Sequence, residues 1–435
     1  MAIETWTALT LFGIFFALLF VGFPVAFGVA LSSIAAMIVY ADFDTALNVA
    51  GQGLATGVEG TAFLAIPLFV IAGNIMNTGS IAKRLIDFTK IVAAPLPGPL
   101  AHCNIIASTL FGALAGIASA AAIAVGGTIF PHAKREKYEP EFMAAVNAAA
   151  APAGLLIPPS GSLILFSLYS GGTSIAALFV AGYLPGMLWG LSCIVPALYF
   201  TIKNKYPREK VTSWSYALRA TWNALPSLGL IVILIGGIVT GAFTATEAAG
   251  MAVFFSFLLS FAYRELKLSE IPRIFIDSVV PSAICLFLVA CSGIMGWVLN
   301  YASIPEMISQ VILDASSNKV ILLLLINLML LVVGTFLDLT PALIIFTPML
   351  MPVFAQLGMH PVHVGIMMVF NLCIGLITPP VGTLLFVSCS IADIPFQRII
   401  PRVLPMVFAL IAALALVTFV PEISLFVPRQ LGLIQ

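Results

Sequence analysis

The sequence predicts an all-α polytopic membrane protein, an inverted repeat of about ten transmembrane spans plus two re-entrant hairpins, and three observations carry that fold. Of the 435 residues, 61% are hydrophobic and 8% charged, with a mean hydropathy of +1.14; a water-soluble domain of this size has far more polar surface. Sixteen of the eighteen Lys and Arg fall on one side of a single threading of the apolar segments. Finally, the chain matches itself at a shift of 221 to 223 residues.

In order along the chain, apolar stretches of spanning length, about 17 to 25 residues, lie at 6–22, 24–40 and 61–77. The first lacks a basic leading region and a small-residue cleavage site, so it reads as a retained helix rather than a signal peptide. An amphipathic segment at 80–94, with Lys83, Arg84, Asp87 and Lys90, reads as an arm lying along the interface. The stretch 100–131 is too long for one crossing and short of the roughly 40 residues that two crossings need. A span at 142–167 is broken by "LIPPSGSL", and a last span covers 184–201. The second half repeats the series: spans at 222–241, 245–263 and 277–299, an arm at 303–316 with Glu306, Gln310 and Asp314, and an over-long stretch at 320–352. A span at 364–388 broken by "LITPPVGTL" and a last span at 403–420 complete it. The predicted repeats are therefore 1–210 and 211–435.

Basic residues set the threading, because they collect in cytoplasmic loops. Lys83, Arg84 and Lys90 precede the first over-long stretch and Lys134, Arg135 and Lys137 follow it, so both of its ends face the cytoplasm and it is a hairpin. Carried along the chain, this orientation leaves only Lys319 and Arg429 outside, puts both termini outside, and makes the second hairpin enter and leave from the outer face.

The repeat is visible in detail: "MNTGSIA" at 76–82 meets "LNYASIP" at 299–305, Pro131 meets Pro352, and "IPPSGSLI" at 157–164 meets "TPPVGTLL" at 378–385. Two oppositely threaded copies are the plan of secondary transporters, whose ligands bind near mid-depth at discontinuous helices. Unwound backbone is tolerated within a membrane only where it lines a cavity or is buried in protein. The two proline breaks therefore mark candidate sites, where carbonyls and helix ends can hold a small cation or a carboxylate.

Asp338, in "GTFLDLTPAL", is the only carboxylate between Asp314 and Asp393 and sits mid-stretch. It reads either as part of a sodium site or as a helix cap near Thr340. Sodium, a hard cation, takes oxygen ligands. Candidate donors are carbonyls around Gly375, Thr378 and Pro380 together with the turn from Gly334 to Thr340 that holds Asp338. By the shift, Gly154, Ile157 and Pro159 with Ser119 form the first-half equivalent, and Gly116, Ser160, Ser162 and Thr383 are the candidate substrate contacts. Glu247 in "TATEAAG" reads as a charge at a helix N-terminus, and Asn147 and Asn371 as bonds between helices.

Other chemistries find no support. The chain has no GxxxxGK[ST] or GxGxxG and no soluble domain to house a nucleotide, and its balanced charge gives nothing for nucleic acid to bind. The six cysteines form no CxxC pair, and His360 and His363 have no third ligand cluster, so no metal other than sodium and no cofactor is expected. An intramembrane enzyme needs paired aspartates, a Ser with a His, or a metal motif, and Asp338 stands alone. No charged ring or filter-like repeat suggests a channel.

"FLAIPLFVIAGNIMNTGSIAKRL", "LIPPSGSLI", "GAFTATEAAG", "GTFLDLTPALIIFTPMLMPV" and "NLCIGLITPPVGTLLFV" closely resemble the large membrane subunit of tripartite ATP-independent periplasmic (TRAP) transporters, over about residues 6 to 420. The resemblance implies an ion-transporter-superfamily fold with an elevator domain made of the hairpins and broken helices. It also implies sodium-coupled uptake of an organic acid, such as a C4-dicarboxylate or a sugar acid like sialic acid, across the bacterial inner membrane. The implied partners are a small four-helix membrane subunit and a periplasmic substrate-binding protein; the alternative is a free-standing sodium–carboxylate symporter of the same fold. One departure stands out: where the family's first hairpin turn is commonly SGSS, this chain has Ala115, Gly116, Ile117 and Ala118, with Ser119 the nearest hydroxyl.

Overall fold

The computed structural model describes residues 2–78, 81–208, 214–264 and 266–434. Among them every regular element is a helix. α1 (Ala2–Phe20) and α2 (Val25–Tyr40) fold back on each other, with Phe15 and Leu18 lying over Gly28. α3 (Phe43–Thr56) and α4 (Ala65–Thr78) are joined by a short 3₁₀ turn and bent by 60°. α5 (Ile81–Ala93) is the first arm, and α6 (Pro99–Ala115) and α7 (Ala118–Arg135) are the first hairpin. α8 (Pro140–Ala150), α9 (Ala153–Leu156) and α10 (Gly161–Tyr169) make the first broken span, bent by 50°, and α11 (Ile175–Lys203) follows.

In the second half come α12 (Trp214–Val239), α13 (Ala245–Ala262), α14 (Ile271–Tyr301) and the second arm, α15 (Ile304–Ala315). The second hairpin is α16 (Lys319–Phe336) and α17 (Leu339–Gln356); α18 (Pro361–Gly375) and α19 (Thr383–Ala392) are the second broken span. α20 (Phe396–Phe419) and α21 (Glu422–Gln430) close the chain. The expected dividing point at 210/211 and the start of the first arm at Ser80 lie outside the described residues.

Two elements differ from the sequence reading. The span expected at 61–77 is only the second limb of a bent crossing whose first limb is α3. Glycine explains why α3 is hard to read: its low hydropathy hides a helix that buries backbone instead of large side chains. A Cβ on Gly53 would stand 3.2 Å from the Ile294 nitrogen, and one on Gly293 would stand 2.6 Å from the Gly53 carbonyl, so α3 and α14 touch backbone to backbone, the small-residue contact that holds membrane helices together. α21, interrupted in sequence by Pro428 and flanked by Glu422 and Arg429, is not expected from the sequence either, and it packs on α11.

Eight helices among the described residues are long and apolar enough to cross a membrane, or ten if each bent pair is one span. That set includes α16 and α17, and length alone cannot separate them from spans; their position does. The α16–α17 turn faces residues 281–288, the middle of α14, so the pair turns at half depth. The 17 to 18 residues of each hairpin arm reach about 26 Å, at 1.5 Å per residue, just short of a bilayer core.

Contacts recur with the halves exchanged. α2 packs on α14 as α13 packs on α4, and α7 packs on α19 as α17 packs on α10. Each pair maps onto the other by the 221-residue shift. Pro152 and Cys373, 221 positions apart, touch each other through the Pro152 carbonyl and the Cys373 thiol, as residues beside a pseudo-twofold axis must.

At the end carrying Lys134, Arg135 and Lys137, Arg402 of α20 donates through Nε (2.9 Å) and Nη2 (2.5 Å) to Oε1 of Glu139 at the start of α8, and the Tyr206 hydroxyl accepts from the Glu139 amide. Arg398 lies 3.6 Å from Glu141 beside it. The Arg402 side chain is 35% exposed, so Arg402→Ala is expected to lower stability by only about 0.5 to 1 kcal/mol, read as a small fall in the thermal unfolding midpoint in detergent with uptake retained.

Candidate functional site

Both hairpin turns and both helix breaks open onto one cavity of about 630 Å³. In the first turn, Gly116 ends α6 with φ +65° and Ile117 precedes α7 as its N-cap residue. In the second, Leu337 ends α16 and Asp338 is the N-cap residue of α17, its Oδ1 accepting from the Leu339 amide at 2.9 Å. Ser160 caps α10, accepting from the Leu163 amide, and Gly382, φ +53°, precedes α19 without a side-chain cap. The Pro158–Pro159 and Pro379–Pro380 bonds are both cis.

Four helices, α7, α10, α17 and α19, thus begin at the cavity, and each N-terminus carries a partial positive charge of about half a unit. Among the described residues Asp338 is the one carboxylate in the lining, and no Lys or Arg joins it. Ser119 and Thr340, one repeat apart, line the cavity, as do Ser162 and Thr383, also one repeat apart. Among the described residues none of these four hydroxyls bonds within the chain. The opposite wall is apolar and comes from Phe27 of α2, Phe69 and Val70 of α4, and Ile284, Phe287 and Leu288 of α14.

Six expected residues therefore meet at the cavity: Gly116, Ser119, Ser162, Asp338, Thr340 and Thr383. The other eight do not line it. Gly154 is pressed on Gly112, and Gly375 on Gly334. Ile157 fills the space over Gly186, and Ser160 donates to the Leu155 carbonyl. Thr378 donates to the Ile374 carbonyl at 2.7 Å, Pro380 is exposed, and the Pro159 carbonyl faces Gly116. Asp338 caps α17, as one of its two sequence readings expects, and is open to the cavity.

Two contributors escape sequence reasoning. Gly112 has a signal, since it meets Gly334 at a shift of 222. The aromatic wall has none, because cavity-facing and lipid-facing phenylalanines look alike in sequence.

Neighbouring polar groups are structural. Asn104 donates to Asn147 Oδ1 (3.2 Å), and Asn147 donates to the Ala122 carbonyl and Ser388 hydroxyl (3.1 Å each). Asn371 donates to Asn327 Oδ1 at 2.8 Å. Both asparagines of the broken spans thus tie helices together, as expected. Glu247 forms a capping box with Thr244, accepting from its amide at 2.8 Å. Glu247→Ala is expected to lower the thermal unfolding midpoint slightly, since the Thr244 cap on the residue 247 amide remains, and to leave the sodium dependence of uptake unchanged, which a thermal unfolding curve and a sodium titration of uptake check together.

Residues 12–423 match the family model described as tripartite ATP-independent periplasmic transporter, DctM component. The chain is 49% identical to protein YgiK of Salmonella typhimurium over 97% of each chain. It is 36% identical to the sialic acid TRAP transporter large permease protein SiaM of Vibrio cholerae, over 95% of this chain and 96% of that one. It is 32% identical to the 2,3-diketo-L-gulonate TRAP transporter large permease protein YiaN of Escherichia coli, over 93% and 94%. Its fold resembles that of the Alcanivorax borkumensis YdaH transporter, with a TM-score of 0.52 at 14% identity, over 87% and 88% of the two chains.

Proposed function

The chain belongs to the DctM-component family of tripartite ATP-independent periplasmic transporters, a permease and not an enzyme, and on that premise we propose that it carries an organic acid across the bacterial inner membrane together with sodium. The observation that carries this reading is the convergence of four helix N-termini, one carboxylate and four unpartnered hydroxyls on a single cavity between two bodies. Helix N-termini attract an anion. The Asp338 carboxylate and hydroxyl oxygens suit a hard cation, and the Thr378 and Pro380 region with its first-half counterpart adds carbonyls.

The hairpins and broken spans form one body, and α2, α4, α13 and α14 the core of the other. In this reading the first slides past the second as an elevator, carrying both ligands, and the two inverted repeats, 1–210 and 211–435, supply its two equivalent end states. The cavity extends towards Pro24 and Pro281, the end next to the basic loops. A second cavity of about 570 Å³, bounded by Tyr169, Met295, Asn300 and Met351, lies at the opposite end. With basic loops inside and both termini outside, the first is the cytoplasmic opening.

The partners are a small four-helix membrane subunit and a periplasmic binding protein that delivers the acid. Uptake of labelled organic acids into proteoliposomes holding this chain and its small partner tests all of this. Uptake that requires both an inward sodium gradient and the binding protein is the expected result. Uptake that ignores the binding protein makes the chain a free-standing symporter, and uptake that ignores sodium removes the coupling.

A further inference from the structure

We infer, on the transport reading above, that Asn147 is a positioning residue for the cavity: it locks α19, and with it Thr383, onto the first hairpin. Asn147 lies in α8, is fully buried and is not part of the cavity lining. Its amide is fully used. Oδ1 accepts from Asn104 of α6 at 3.2 Å, and Nδ2 donates to the Ala122 carbonyl of α7 and to the Ser388 hydroxyl of α19, at 3.1 Å each. A carbonyl can only accept, so the Ala122 bond fixes which end of the amide carries the hydrogens, and the nitrogen has two to give. One side chain of the first repeat thus holds both arms of its own hairpin and a helix of the second repeat.

The bond to Ser388 is the part that reaches the cavity. Thr383, at the start of α19, lines the cavity five residues before Ser388, and Ser119 of α7 lines it three residues before Ala122. α19 is ten residues long, follows the break and begins without a side-chain cap, so its placement rests on what neighbouring helices bond to it. The tie has no copy in the other half. At the 221-residue shift Asn147, Gly126 and Ser388 become Met368, Thr347 and Ser167. Met368 has no donor, Thr347 is buried with no partner among the described residues, and Ser167 bonds the nearby Thr173 carbonyl. Asn371, the buried amide of the second broken span, donates to Asn327 within its own repeat. A general need of the fold would appear in both halves. Gly126 leaves room for this amide, since a Cβ there would stand 2.8 Å from the Asn147 nitrogen. Ser388 is itself fully buried, so loss of the tie frees α19 inside the mobile body without touching the surface along which that body slides. Ligand affinity falls, and the stroke of the loaded body does not slow.

Sodium titrations of uptake test this, in proteoliposomes with the small partner, a fixed level of loaded binding protein and a labelled acid that the wild type takes up. Ser388→Ala removes the tie; Gly126→Ala removes no hydrogen-bonding group but pushes the Asn147 amide aside. Each is expected to raise the half-saturating sodium concentration about fivefold, the weight of one buried hydrogen bond, with the maximal rate per folded transporter unchanged. Sodium and acid share the cavity, so weakened binding of either raises that concentration. Thr383→Ala is expected to raise it too, and Ser388→Ala added to Thr383→Ala to raise it no further, because the tie acts through Thr383. Unfolding midpoints report the stability of each variant separately. A wild-type sodium response in either Ser388→Ala or Gly126→Ala, whatever its stability, makes the amide structural and overturns the inference. Full additivity of Ser388→Ala and Thr383→Ala also overturns it, as does a lower maximal rate with unchanged sodium half-saturation. In each of those cases the transport reading stands. Wild-type uptake that ignores sodium removes the coupling from that reading, and the inference with it.

Discussion

Asp338→Asn is expected to raise the sodium concentration needed for half-maximal uptake at least about tenfold, a loss near 1.4 kcal/mol of ion binding, with little change in thermal stability. Asparagine is as good an N-cap as aspartate, so the bond from the Leu339 amide survives and only the charge is lost. Asp338→Ala removes both and is expected to lose sodium response and about 1 kcal/mol of stability. The pair separates the two roles that Asp338 combines. If capping were its whole role, the asparagine variant would behave as wild type and the alanine variant would show a stability defect alone. A sodium titration of uptake, run beside an unfolding curve for each variant, reads the difference, and a wild-type sodium response in the Asp338→Asn variant would remove Asp338 from the ion site.

The legible parts of this fold are those written as charge, proline and repetition. Basic residues give the hairpins their ends, the two proline pairs give the breaks, and the shift pairs Ser119 with Thr340 and Ser162 with Thr383. What stays hidden is written in residues that say little singly. α3 is held by Gly53 against α14, and no hydropathy window registers a contact made by absent side chains. The cavity's apolar wall is hidden for the opposite reason, since a membrane protein shows phenylalanines on every side and only packing distinguishes a ligand-facing ring. Helix starts read from sequence fall short, by nine residues at α11 and six at α14; the missed start of α11 is apolar and buried against the rest of the protein, and a window of spanning length does not register where a longer buried helix begins.

A large loss of stability is expected from Gly154→Ala and Gly375→Ala, one repeat apart. A Cβ on Gly154 would lie 2.2 Å from the Cα and carbonyl carbon of Gly112, and one on Gly375 would lie 2.3 Å from the carbonyl carbon of Gly334. In each half a hairpin arm meets its broken span at this point, backbone on backbone, and no rotamer change can relieve a clash between main chains. Overpacking a core costs about 1 to 3 kcal/mol when side chains can yield, and here the cost is expected at or above the top of that range. The reciprocal substitutions are graded by distance: Gly112→Ala meets Gly154 Cα at 2.7 Å, and Gly334→Ala meets Gly375 Cα at 3.3 Å. The expected order of destabilisation is therefore Gly154 and Gly375 first, then Gly112, then Gly334, measured as unfolding midpoints in one detergent. Gly334→Ala as damaging as Gly375→Ala would contradict the close approach as the cause. The same contact sets the depth of the hairpin turn relative to the break, so a wedge there also separates Ser119 from Ser162 and Thr340 from Thr383. Any Gly154→Ala or Gly375→Ala protein that folds is accordingly expected to lose uptake as well as stability, since the cavity needs the turns and breaks held together.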